Sequence, residues 1–298
     1  MRVAKVIVLL LLSAVTGKAT DFLTEGVDNG RTGWVRDEKV FTPANVGSMK
    51  LLWKVKLESK PRAMHNLFAP LVAERVTTAD GTRELAVVAG VSDDLFGIDV
   101  ATGRQIWHRH FDSTLANPGG TGDTLCPGGQ TAVPTMAQIS PGKYTIYAVS
   151  WDGRLRQVNL ADGQDVAPPE KFMPPNGKPY ALNLVNGVVY TASAQGCGGV
   201  PNAFYSFDLA TRKSSTFLPA GGGLWGRRGA VISPEGVAYL GTGDAAAGRP
   251  RMLDRRVKVL VDFPPEGHEY PLRPAAVLPG GHRTPDTSAV KRLRFVAE

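Results

Sequence analysis

The sequence is poor in the residues that build metal and redox centres. Its 298 residues include two cysteines and five histidines. Cys126 and Cys197 stand alone in Gly/Pro-rich loops, LCPGGQ and QGCGGVPN. Neither has the C-x-x-C-H context of attached haem or the paired spacing of a zinc site. In an oxidising compartment the two could form a disulfide; two separate, partly buried thiols are the equal alternative. His108 and His110 flank Arg109 and would share one face of a strand, as a metal pair must. No third ligand is evident nearby, so a surface pair is the simpler reading. There is no G-x-S-x-G elbow, no G-x-x-x-x-G-K-S/T and no H-E-x-x-H, which removes the common hydrolase, nucleotide-binding and zinc-protease signatures. Gly119-Gly120-Thr121-Gly122 is a loop with no helix behind it to bind phosphate.

A basic surplus is also lacking where it would matter. The net charge is +7. Arg2, Lys5 and Lys18 supply three positive charges and residues 249–298 a net four, while residues 20–248 carry 21 basic and 21 acidic side chains. An electroneutral body has no cationic face to displace counterions from a phosphate backbone, so nucleic-acid binding is not expected.

Long apolar runs are nearly absent. The one candidate is Val6 to Val15, ten residues behind Arg2 and Lys5 and ahead of Gly17-Lys18-Ala19. Ten residues at about 1.5 Å each are too short to cross a bilayer. A basic start, a short apolar core and a small-x-small exit read as a secretory signal peptide over residues 1–19, with a mature N-terminus near Thr20. The expected location is periplasmic or secreted, with no membrane span after cleavage.

Punctuation is abundant. Thirty-four Gly and 22 Pro divide the chain into short apolar runs, such as Leu85–Ala89, Tyr144–Val149, Gly187–Ala192 and Gly236–Gly241. These read as strands. A strand–turn–strand phrase recurs at Leu95–Trp107, Leu155–Gln164 and Phe204–Lys213. Its Asp or Asn (Asp99, Asn159, Asp208) can bond its own following backbone, and Thr-Gly or Asp-Gly supplies the positive φ of a hairpin. Units of roughly 50 residues that cannot bury their faces alone are expected to stack, and radial stacking gives a β-propeller.

At Asp99 to Trp107 the D-x-x-T-G-x-x-x-W phrase resembles the tryptophan-docking motif of the quinoprotein alcohol dehydrogenase family, whose members use pyrroloquinoline quinone (PQQ). Thr42-Pro43-Ala44-Asn45-Val46 and Lys50-Leu51-Leu52-Trp53 are similar to the opening of many such chains. Gly222-Gly223-Leu224-Trp225, Ser233-Pro234 and Tyr239-Leu240-Gly241-Thr242-Gly243-Asp244 resemble the family's G-G-x-x-W … D-P … Y-x-G-T-G-N segment. The resemblance implies an all-β fold, a partial propeller of about four to five blades where the family usually has eight. It places Trp107 largely buried between adjacent blades. It makes Trp225 the residue that stacks on the quinone and Asp244 a calcium ligand, and PQQ and calcium the cofactors. Arg227 and Arg228 would clamp the quinone's carboxylates; a solvated turn is their plainer reading.

The departures are as specific. Trp225 to Asp244 is one residue longer than usual, and Gly226-Arg227-Arg228-Gly229 replaces an aromatic segment. No adjacent Cys-Cys pair is present. No residue matches the calcium-binding Glu well, Asp152 being a poor candidate, and the catalytic base is unidentified. The repeats occupy residues 20–248. Residues 249–298, with eight Arg and seven Pro, form a divergent tail, frame-shifted or disordered. The expected function is that of an exported PQQ-binding-like repeat protein with an incomplete active site, weak or no PQQ binding and no dehydrogenase activity. The alternative is a non-catalytic propeller scaffold for protein partners in the periplasm.

Overall fold

The computed structural model describes residues 21–36, 38–59, 67–113, 126, 132–218, 223–225, 227–233 and 236–243, with the strand backbones 258–262, 270–271 and 292–293. The leader-like residues and Asp244 lie outside the described residues.

Three consecutive antiparallel meanders carry the expected repeats. The first sheet is β1 (Leu71–Thr78), β2 (Gly81–Gly90), β3 (Asp94–Asp99) and β4 (Gln105–His110), hydrogen-bonded in that order. The second is β5 (Thr135–Ser140), β6 (Lys143–Val149), β7 (Arg154–Asn159) and β8 (Asp165–Lys171). The third is β9 (Asn183–Val185), β10 (Val188–Ala192), β11 (Phe204–Asp208) and β12 (Lys213–Phe217). In the fourth, β13 (Gly223–Trp225) and β14 (Val231–Ile232) share one edge of β15 (Val237–Gly243), and β16 (Lys258–Asp262) pairs with the other. A short strand pair, Tyr270–Pro271 with Arg292–Leu293, follows. Among the described residues no helix is long and apolar enough to cross a membrane.

The turns are built as their sequence predicts. Asp99 Oδ1 accepts from the Thr102 N–H at 3.0 Å and the Thr102 hydroxyl at 2.9 Å, and Gly103 takes φ 71°. Asn159 and Asp208 accept from Ala161 and Thr211 in the same way. The third copy puts Arg212, not glycine, at the left-handed position, with φ 60°.

Sheets stack because each is apolar on both faces. Leu85, Val87 and Leu95 meet Ile146, Ala148 and Val158 between sheets one and two. Tyr147, Val149 and Leu155 meet Val189, Tyr205 and Phe207 between two and three. Tyr190, Ala192 and Phe204 meet Leu224, Ile232, Ala238 and Leu240 between three and four. This two-sided burial explains why the strands read as continuous apolar runs rather than alternating ones.

Trp107 docks as the repeat phrase implies. Its indole N–H donates to the Leu160 carbonyl of the second sheet at 2.8 Å, and its ring lies against Gly97 and Gly163. It is half-buried, not largely buried, because β4 is the outermost strand of its sheet. Trp53 repeats the geometry, donating to the Val100 carbonyl at 2.7 Å and lying over Gly103. The third junction has no tryptophan: Arg212 pairs with Glu170 at 2.9 Å and Phe172 meets Phe207 edge-on.

A strap formed by residues 21–31 crosses the first strands of all four sheets. Phe22 exchanges backbone hydrogen bonds with Val72, Leu23 accepts from Met136, and the Thr24 hydroxyl donates to the Leu182 carbonyl. Asn29 donates through Nδ2 to Leu184 and accepts from the Ile232 N–H. Cys126 and Cys197 are disulfide-bonded, tying the segment between sheets one and two to the β10–β11 connection of sheet three.

Candidate functional site

The two halves of the G-G-x-x-W and Y-x-G-T-G segments lie side by side. Strand pairing sets Trp225 opposite Gly241, Leu224 opposite Thr242 and Gly223 opposite Gly243. Leu224 points into the core between sheets three and four. The Trp225 side chain lies outside the described residues.

The turn after β13 carries Arg227 and Arg228, both exposed. The Arg227 carbonyl accepts from the Ala181 N–H at 3.2 Å, which pins the turn to the segment entering sheet three. Gly229, at φ 82°, permits this approach, since a Cβ there would lie 2.2 Å from the Ala181 oxygen. Arg228 Nε stands 3.5 Å from Glu25 of the strap. The Arg228 side chain is exposed while that of Glu25 is mostly covered, and at this separation the pair is a loose one.

Lys178 sits beside this turn and is buried, its ammonium donating to Gln195 Oε1 at 2.5 Å. Burial, and then the positive charge of Arg227, hold its pKa below the usual lysine value. Arg31 adds a fourth cation, from the strap. Its guanidinium donates to the Thr24 hydroxyl at 2.7 Å and to the Glu25 and Leu182 carbonyls at 2.5 and 2.8 Å. Burial lowers its pKa to about 10, against the pull of Glu25 and Asp28. The Cys126–Cys197 bridge lies two residues beyond Gln195. This corner therefore gathers cationic groups from the strap, sheet three and sheet four, an arrangement suited to a carboxylated ligand. Lys178 and Arg31 were missed in the sequence, because nothing in N-G-K-P or N-G-R-T marks a side chain that tertiary packing will bury.

The other sequence candidates resolve differently. Asp152 accepts from Arg156 Nη2 at 2.6 Å and bonds Ser150, so it is an ion-pair acceptor within its own hairpin rather than an open calcium ligand. Its neighbour Trp151 is 3% exposed, a core residue and not simply a turn residue. His108 and His110 do face one acidic partner: Nε2 and Nδ1 lie 2.9 and 3.0 Å from Oδ1 of Asp94, while the Ser59 hydroxyl donates to its Oδ2. Asp94 is opposite His110 in the β3–β4 register. Among the described residues no set of three His, Cys, Asp or Glu side chains is arranged to hold a metal. Two open clefts, of about 380 and 390 Å³, flank Asp21 of the strap, and among the described side chains neither is lined by Arg227 or Arg228.

Comparison with known proteins agrees on the fold. No protein-family model and no curated protein matches the chain. The quinohemoprotein alcohol dehydrogenase from Comamonas testosteroni superposes with TM-score 0.54 at 18% identity, over 82% of this chain and 39% of that one. A europium-containing methanol dehydrogenase superposes with TM-score 0.51 at 14% identity, over 76% and 43%. BamB from Moraxella catarrhalis overlaps more loosely, with TM-score 0.31 at 17% identity over 58% and 52%. The chain thus has the β-propeller architecture of the two dehydrogenases and spans about two fifths of their length.

Proposed function

We propose that this chain is an exported quinoprotein-like propeller that holds a carboxylated quinone loosely and does not oxidise alcohols on its own. The observation that carries the reading is the buried Lys178 ammonium held beside Arg227. Two neighbouring cations, one of them desolvated, favour the approach of an anion. A quinone bearing carboxylates, such as PQQ, has that charge. Arg227 and Arg228 offer guanidinium forks to it, Trp225 an indole face for a flat ring, and Asp244 one oxygen ligand for calcium. A bound quinone of this kind supplies two-electron oxidation. The part that oxidation needs from the protein, a base aimed at a substrate hydroxyl and typically worth ~10²–10⁴ in rate, has no candidate in this sequence. Glu25, the carboxylate at this corner, is engaged by Arg228.

Export rests on the leader-like residues 1–19 and is supported by the Cys126–Cys197 bond, since disulfides persist in oxidising compartments. A second reading, a scaffold for protein partners, is favoured by the extended segment around Trp53, which joins no sheet among the described residues.

The test is a tryptophan-fluorescence titration with PQQ, with and without calcium, beside a dye-linked alcohol oxidation assay. Quenching with a Kd weaker than about 10 μM, lost in Lys178→Met and Trp225→Ala, is expected, with no dye reduction. Calcium-dependent dye reduction would overturn the non-catalytic half of the proposal. A flat titration would overturn the quinone-binding half.

A further inference from the structure

Residues 51–58 run as an extended segment that joins no sheet among the described residues. From Leu52 onward burial alternates, with Trp53, Val55 and Leu57 half-buried and Leu52, Lys54, Lys56 and Glu58 exposed, the period of extended backbone. The three inward side chains pack on Ala86, Val88 and Ile98 of the first sheet. Among the described residues none pairs with this segment as a neighbouring strand; its one backbone bond is the local Ser59 N–H to Leu57 carbonyl.

Its docking identifies what kind of strand it is. Trp53 lies on Gly103 and bonds Val100 just as Trp107, from the outermost strand of sheet one, lies on Gly163 and bonds Leu160 of sheet two. Residues 51–58 therefore occupy the fourth, outermost rank of a sheet that would precede the first. Sheets one to three each have four ranks. The fourth sheet has three: β13 with β14, then β15, then β16. Among the described residues the outer edge of β16 has no partner. The far face of that sheet is also bare, with Val231 38% and Tyr239 41% exposed. An orphan strand and an incomplete sheet are each templates for pairing.

We infer that two copies of this chain join reciprocally, the 51–58 strand of each completing the fourth sheet of the other. One twofold axis satisfies both defects at once, because a self-complementary interface uses each patch twice. The same contact lays the first sheet of one copy, with Val72 and Val88 on its outer face, against Val231 and Tyr239 of the other. It continues the face-to-face stacking already seen three times within one chain. The inference does not depend on any ligand.

The test is sedimentation equilibrium of the full chain, beside amide hydrogen exchange at residues 51–58. The expected mass is twice the 31.8 kDa of one chain, with these amides protected at high concentration and exposed on dilution. Val231→Lys with Tyr239→Lys, at two outward-facing positions, is expected to halve the mass while leaving the circular dichroism unchanged. A monomer at every concentration overturns the inference. So does a dimer that survives the double substitution, or one whose 51–58 amides exchange freely. Protection in a monomer overturns it too, in favour of closure within one chain.

Discussion

Asp93 shows how a residue can be set against its own ionisation. It sits in the β2–β3 turn at φ 61°, 3% exposed, and accepts from the Trp151 N–H of the second sheet and from the Ser113 hydroxyl. Burial pushes its carboxyl up to about 6, despite those two donors. A raised carboxyl pKa means the folded state holds the proton more tightly than the unfolded chain. The associated stability is complete below the ordinary carboxylate pKa and is lost as pH rises through about 6. Asp93→Asn keeps an acceptor for Trp151 and removes the charge. It is expected to stabilise the protein by ~1–3 kcal/mol at pH 8 and to change little at pH 4. Urea unfolding at the two pH values checks this; equal effects at both would refute the assignment. Residues of this kind were the least legible in the sequence. Asp93 and Asp94 look like ordinary turn residues, and Lys178 and Arg31 like surface cations, until neighbouring sheets cover them. Counting back from the Thr102-Gly103 turn would set Asp94 across from Arg109; a bulge between Gly97 and Ile98 moves the register by one residue and brings it opposite His110.

Elements were far more legible, because their causes are local. The Asp/Asn turn phrases placed the hairpins at Asp99, Asn159 and Asp208, and the recurrence of units too small to bury their own faces implied stacked sheets. What the sequence did not reveal was the three-rank fourth sheet or the strap, since both depend on pairings between distant segments. Tryptophan docking can be tested at the element that receives it. Gly163 and Gly187 have nearly the same backbone, φ 73° and 77°. A Cβ at Gly163 would lie 2.8 Å from the Trp107 ring, whereas one at Gly187 meets nothing. Both alanine variants incur the left-handed strain of ~1–2 kcal/mol. Gly163→Ala is expected to lose a further ~1–3 kcal/mol by overpacking the Trp107 ring. Equal thermal shifts for the two variants would mean that Trp107 does not hold sheets one and two together.

At the scale of the whole molecule, two long-range ties complement the stacking. The Cys126–Cys197 bond closes a loop with a sequence separation of 71. Closing such a loop in the unfolded chain corresponds to about 4 kcal/mol in the chain-entropy model. Reductant is therefore expected to lower the melting temperature of the wild type and to leave a Cys126→Ser, Cys197→Ser variant unmoved. The strap is the second tie. For the full chain, unfolding followed by circular dichroism and by tryptophan fluorescence is expected to coincide. For a chain beginning at Gly33 the two transitions are expected to separate, as sheets lose their common cross-piece. The strap also has a place in time. Its partners, Val72, Met136, Leu182 and Ile232, leave the ribosome one after another, and the last is synthesised some two hundred residues after Asn29. The segment made first is thus the last to be seated, and no folding intermediate short of all four sheets can hold it completely.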